Sequence, residues 1–249
     1  MCCLASAGLT TNSFSQDRGP RRGLPELSEA ITSFGAAVVG ENLYVYSGHT
    51  GEAHAHSREN YSENFRRISL KWSGDWEELE MQDPVQGFAL VAHEGALYRV
   101  GGVYSRNAPA DDEDMHSSDK FARFDPESGK WTDLTPLPEA RSSLDAAVQN
   151  GKLYVIGGWK LAGDPDDGVW GTDYWVADLN SDTIKWEKLP KAPFTARAMA
   201  VAASENFIYA IGGMDSEDST SAQVYIYDPE AKEWSLGPEI PSKGRLKAF

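Results

Sequence analysis

The chain has 249 residues, with 38 Asp and Glu against 23 Lys and Arg and a formal charge of −15. Nucleic acid and anionic membrane surfaces require clustered cations, so this balance excludes both as natural partners. Hydrophobic residues make up 41% of the chain and supply a sizeable core; eight Trp and ten Tyr favour β-structure, and no apolar run nears the roughly 18 residues that span a membrane.

Two cysteines, Cys2 and Cys3, stand side by side at the N-terminus, so the body of the chain offers no disulfide, thiolate metal site or cysteine nucleophile. Ala5-Ser6-Ala7 fits a leader-cleavage site, although the basic and apolar parts of a leader are missing. Residues 1–24 are therefore read as a leader remnant and linker, which implies an exported chain, periplasmic or extracellular. The alternative is an ordinary polar start to a cytoplasmic chain. Gly19, Pro20 and Gly23 mark the linker into the first repeat.

From residue 25 onward one plan recurs. Residues 25–83, 84–137, 138–192 and 193–240 each begin with a small-apolar run, such as Gly35-Ala36-Ala37-Val38-Val39 and Asp145-Ala146-Ala147-Val148. A short turn follows, and Asn150-Gly151 is its strongest form, because both central residues of such a hairpin turn take positive φ. A second strand then ends in glycine: Leu97-Tyr98-Arg99-Val100-Gly101-Gly102, with counterparts ending at Gly48, Gly158 and Gly213, in steps of 54, 56 and 55 residues. A third strand ends near an acid in Phe124-Asp125-Pro126, Ala177-Asp178 and Tyr227-Asp228-Pro229, and a fourth carries Trp76, Trp131, Trp186 or Trp234. The first copy departs from the plan, with Ser47 in place of a glycine and Leu70 in place of the acid. Residues 241–249 repeat the entry into a first strand.

This unit resembles the kelch repeat, over residues 25 to about 240. The resemblance implies an all-β, kelch-type β-propeller of four four-stranded antiparallel blades plus the first strand of a fifth. One such sheet cannot bury both faces alone, so the units stack around an axis. Similar propellers close with roughly six or seven blades, so the expectation is an incomplete ring; the alternative is a small ring closed by the lone strand.

The connections between second and third strands are long, at about 49–66, 103–119, 159–172 and 214–222, and they emerge on one face with the connections between blades. Long loops on a rigid scaffold usually carry binding, so this face is the expected ligand surface. Arg141, Arg197 and Arg245 recur at the entry to the first strand and are candidates to grip carboxylates, with inter-blade hydrogen bonding as the alternative. Trp159 and Trp170 have no place in the repeat and are candidates to stack on a ligand, or simply to anchor their loop. His49, His54 and His56 are further ligand candidates; three imidazoles suit zinc or copper, but no spacing fixes a fourth ligand and no metal or cofactor is assigned. The acid run Asp111-Asp112-Glu113-Asp114 with His116 reads as a solvated loop, and Asp164, Asp166 and Asp167 with Gly168 lack the alternation of a calcium loop.

Kelch propellers are widely used as binding modules, so the resemblance implies a non-enzymatic module for a protein or carbohydrate ligand, with no catalytic residue. The alternative is a sugar-active enzyme similar to the bacterial sialic-acid mutarotases, in which the three arginines hold the carboxylate and a loop histidine or Glu52 moves the proton. Galactose oxidase also carries kelch repeats, but its thioether cofactor needs a cysteine that this body lacks.

Overall fold

The computed structural model describes residues 23–71, 74–217 and 219–241. The leader-like segment, Arg245 and the strand expected to begin the fifth blade lie outside these residues.

The predicted fold class is present. The first sheet runs β1 (Gly35–Val39), β2 (Asn42–Tyr46), β3 (Phe65–Ser69) and β4 (Glu77–Leu79), hydrogen-bonded in that order. Then come β5 (Ala89–His93) and β6 (Ala96–Val100), a loop hairpin of β7 (Val103–Ser105) and β8 (Met115–Ser117), and β9 (Phe121–Asp125) and β10 (Lys130–Asp133). Strands β5, β6, β9 and β10 make the second blade. The third is built on β11 (Ser142–Gln149) and β12 (Lys152–Lys160), followed by the short loop strands β13 (Ala162–Gly163) and β14 (Val169–Trp170), then β15 (Trp175–Asp178) and β16 (Trp186–Lys188). The fourth comprises β17 (Ala200–Ala203), β18 (Ile208–Ile211), β19 (Val224–Asp228) and β20 (Glu233–Leu236). Strands β1, β5, β11 and β17 lie next to one another in turn around the axis.

The second strand of each blade explains the apolar runs in the sequence. Successive side chains of a strand point to opposite faces, and here each face is a seam with a different neighbour. In β6, Leu97 packs with Tyr44, Tyr46 and Phe65 of the first blade, whereas Tyr98 and Val100 pack with Leu144, Leu153 and Val155 of the third. In β12, Leu153 and Val155 face backward while Tyr154 and Ile156 face forward onto Met199, Ile208 and Tyr227. Among the described residues the interior is therefore three seams and a small cluster of Val103, Met115 and Leu161 rather than one central core. Asn150 (φ +49°) and Gly151 (φ +74°) form the turn that their sequence predicts.

Two devices set the seams. Each strand-four tryptophan donates its indole N–H to the preceding connection: Trp131 to Glu80 O at 3.0 Å, Trp186 to Thr135 O at 3.0 Å and Trp234 to Pro190 O at 3.1 Å. Trp76 makes the same bond to Pro25 O, at 3.0 Å, across 51 residues. The second device is the glycine at the end of strand two. Gly157 has φ +75°, and a Cβ there would lie 2.7 Å from Met199 Cε and 2.8 Å from Ala196 O of the next blade. Ser47 occupies this position in the first blade, and its hydroxyl turns the departure to use by accepting the Val85 N–H at 2.9 Å. The first seam also encloses Arg99, 1% exposed, which donates to Tyr46 Oη and Asp83 O and stacks over the rings of Tyr46 and Trp131.

At the axis, Ser33, Gly87, Ser143 and Ala198 enter the inner strands with φ of +51°, +59°, +51° and +50°. This left-handed turn costs a non-glycine residue roughly 1–2 kcal/mol. It is offset by a relay of backbone bonds between blades: Gly87 N to Ser33 O, Ser143 N to Gly87 O and Ala198 N to Ser143 O, at 3.0, 2.7 and 2.8 Å. Asp145 stands where the other inner strands have Gly35, Ala89 and Ala200. Its carboxylate accepts from Ala146 N at 2.8 Å and, across the third seam, from Val201 N at 2.7 Å. Burial pushes this carboxyl up to about 6 against the pull of those two donors.

Two stability measurements follow. In chemical denaturation, Gly157→Ala should cost about 2–4 kcal/mol, because backbone strain and overpacking add. Gly129→Ala should cost only about 1–2 kcal/mol, since Gly129 has φ +68° but nothing within 4 Å of a built Cβ. Equal costs would show that the seam contact is unimportant. For Asp145 the folded value exceeds the ordinary 3.8, so its contribution is full below pH 4 and is lost as pH rises through about 6. Asp145→Asn should therefore gain stability relative to the parent between pH 4 and pH 7, by no more than about 3 kcal/mol. A difference curve flat in pH contradicts this.

Candidate functional site

Where the connections enter the inner strands, backbone register brings four equivalent positions together at the mouth of the axial channel. Thr32, Gln86 and Arg197 form isolated bridges with His49, Val103 and Met214, and Ser142 pairs with Trp159 in the corresponding place. Gln86 and Arg197, with residues of the long loops, line a cavity of about 510 Å³. Its wall includes His54, His56, Gln86, Trp159 and Arg197, and its floor is the relay of Ser33, Gly87, Ser143 and Ala198.

Arg197 is the basic group of this mouth. Its guanidinium lies 4.2 Å from the centre of the Trp159 ring and 5.4 Å from that of Trp170. The two indoles are directly opposed across the β12–β14 pairing, with ring centres 6.1 Å apart. The tryptophans outside the repeat thus form a platform on which the arginine of the next blade rests, which holds a planar cation in one orientation.

The expected series of three arginines is out of phase. Gly102 and Gly158 donate to the carbonyls of Arg141 and Ala196, so Arg141 matches Ala196, and Arg197 matches Ser142. One residue of shift turns a side chain to the other side of the strand. Arg141 is accordingly buried, 2% exposed, with Nη1 donating to Gly157 O at 3.2 Å and Nη2 paired with Glu139. Gly171 makes room for it, since a Cβ there would lie 1.4 Å from Nη1. Arg141 is committed to the scaffold and takes no part in the mouth cavity. Arg245 lies outside the described residues.

The three imidazoles also separate by role. His49 is buried; its backbone bridges Thr32 and Tyr61, and its Nε2 donates to Ala55 O at 2.9 Å. His54, at φ +65°, and His56 face the cavity. The His56 ring packs edge-on against His49 at 5.3 Å, and its Nδ1 meets Gln86 Nε2 at 3.2 Å. Burial holds His56 below the usual histidine range; His49 and His54 add to that, and Glu113 opposes it. Among the described residues, no three His, Cys, Asp or Glu side chains converge as a metal site.

The acidic loops are explained locally. Asp114 accepts from His116 Nε2 at 2.6 Å, and the His116 ring stacks on Tyr104. Asp164 accepts the Asp166 N–H at 2.9 Å and caps the 3₁₀ turn Pro165–Asp167. The second and third long loops are also more ordered than polar composition suggests: β7, β8 and β13 form a small sheet that joins them across the blades. Gln86 and Met214 at the mouth escape sequence reading, because nothing about either residue type is unusual; only their phase with Arg197 identifies them.

The chain is similar to kelch proteins over most of its length. Kelch-like protein 35 of Mus musculus is 29% identical over 220 residues, covering 88% of this chain and 33% of the relative. Beta-scruin of Limulus polyphemus is 27% identical over 223 residues, covering 88% of this chain and 23% of the relative. This chain thus spans about a third or less of these relatives. The solved structure of YjhT superposes with a TM-score of 0.68 at 16% identity, over 89% of this chain and 69% of that one, a likeness of fold. The KLHDC2/KLHL20/DRC7 Kelch-repeats domain matches residues 33–247, and with four blades of the corresponding architecture this chain belongs to the kelch-repeat family.

Proposed function

We propose that this chain is a non-catalytic recognition module that holds a protein ligand at the channel mouth, with a ligand carboxylate paired to Arg197. The observation that carries this reading is the Trp159–Trp170 platform under the Arg197 guanidinium. Stacking on two indoles fixes the plane of the Arg197 guanidinium, and a fixed planar fork matches the geometry of a carboxylate. The same stacking covers the indole face that a sugar would use, which favours a peptide over a glycan. A mutarotase-like site needs further arginines at the mouth, and Arg141 is held on Glu139, so the enzymatic reading draws less support.

The overall charge of −15 narrows the ligand further. Exposed charges repel over a Debye length of about 10 Å, and Asp111, Asp112 and Glu113 border this face. An acidic tract would be repelled, so the fitting ligand is a single carboxylate within an otherwise neutral or basic segment.

Panning a random peptide library against the chain tests this reading. Selected peptides should share one carboxylate, and Arg197→Ala should weaken them at least about tenfold, the scale of a lost charge-assisted hydrogen bond. Arg197→Lys should restore only part of the binding, because the planar fork is gone. Peptides without a common carboxylate, or affinities indifferent to Arg197→Ala, would refute the proposal.

A further inference from the structure

Gln86 occupies in the second blade the place that Arg197 occupies in the fourth, and both line the same cavity. Yet Gln86 is only 6% exposed, and two residues of the first blade's long loop, His56 and Tyr61, hydrogen-bond to its side chain. That loop reaches over the second blade through a short set of contacts. Arg58 N donates to Asn107 O at 3.1 Å, Asn107 Nδ2 donates to His56 O at 2.8 Å, and Tyr61 Oη meets Ser105 Oγ at 2.9 Å. Gln86 itself takes a bond with Tyr61 and a bond from Nε2 to His56 Nδ1, and of these contacts the one to His56 titrates near neutral pH. An amide nitrogen only donates, so this bond requires His56 Nδ1 to carry no proton.

We propose that residues 50–60 form a proton-released flap over the mouth: neutral His56 keeps Gln86 covered, and protonation of His56 uncovers Gln86 as a second ligand-contacting side chain. The inference rests on the mouth being the binding site, as argued above. A protonated Nδ1 no longer accepts from Gln86 Nε2, so the amide must turn over or let go, and a charge is left in a half-buried site. The charged and titratable groups around His56 are His49 and His54 on its own loop, Glu113 on the neighbouring loop and Arg197 on the wall of the shared cavity. In the closed flap, burial outweighs the attraction of Glu113 and keeps the ring neutral. An open flap returns His56 to water and to its ordinary affinity for a proton. Acidification through the usual histidine range therefore favours the open form, because that form binds the proton more tightly.

Hydrogen–deuterium exchange of the 50–60 segment, corrected for intrinsic rates, tests the flap without any ligand. Opening in the parent should increase about five- to tenfold between pH 7.5 and pH 5.5, the scale of one lost hydrogen bond. His56→Gln removes the titrating group and should abolish the pH effect, His54→Ala should keep it, and Gln86→Ala should raise exchange at both pH values. Nitrogen chemical shifts of the labelled imidazoles supply a second reading, with His56 Nδ1 unprotonated at pH 7.5. The flap is wrong if parent exchange does not respond to pH, if the response survives in His56→Gln, or if Nδ1 carries the proton. Failure here leaves the Arg197 site standing, whereas failure of the peptide selection alone leaves the flap intact with no ligand to admit.

Discussion

The indole N–H of Trp131, Trp186 and Trp234 reaches back across a seam to a backbone carbonyl of the preceding connection, Trp76 makes the same bond to the segment that enters the first blade, and the rest of the molecule is arranged around that reach. A four-stranded sheet with two apolar faces has no stable existence alone, so what has to be specified is how adjacent sheets meet. The tryptophan supplies both the buried area and a directional bond, at the outer end of the seam. At the inner end, the glycine or serine closing strand two admits the next blade, and the relay through Ser33, Gly87, Ser143 and Ala198 ties successive inner strands. With both ends held, the angle between blades is determined and little freedom remains in the scaffold.

That rigidity allows the mouth to be built from loops. The four equivalent positions Thr32, Gln86, Ser142 and Arg197 are delivered by backbone pairing, so their side chains vary without disturbing the stack. The site therefore differs from blade to blade while the seams stay alike. Ser142 is buried on Ser117, Gln86 lies beneath a histidine, and Arg197 rests on two tryptophans.

Buried cations divide sharply by what surrounds them. Arg66 meets Glu29 at 3.3 Å and Glu78 at 2.6 Å, Arg99 lies within the first seam on Tyr46 and Trp131, and Arg141 is paired with Glu139. Each is at most 5% exposed along its side chain, and each is compensated, because an unpaired buried charge would be strongly destabilising. These arginines hold blades and segments together. Arg197 belongs to a different class because it opens onto a cavity, and aromatic faces supply much of its surroundings.

Much of this was legible in the chain itself. The glycine steps, the Asn150-Gly151 turn and the spaced tryptophans identify four antiparallel blades, because strand alternation, turn geometry and seam packing are local rules repeated at a fixed period. Trp159 and Trp170 stood out because they break that period, and the long loops marked the face where they lie. Tertiary structure alone decided which arginine serves the mouth, since a one-residue difference in phase sends Arg141 into the scaffold and Arg197 to the cavity. It alone paired Gln86 with His56, and set His49 apart from His54 and His56. Such pairings join residues about 30 positions apart through the stacking of separate blades, and no periodic signal within one repeat records how a loop of one blade comes to rest on the next.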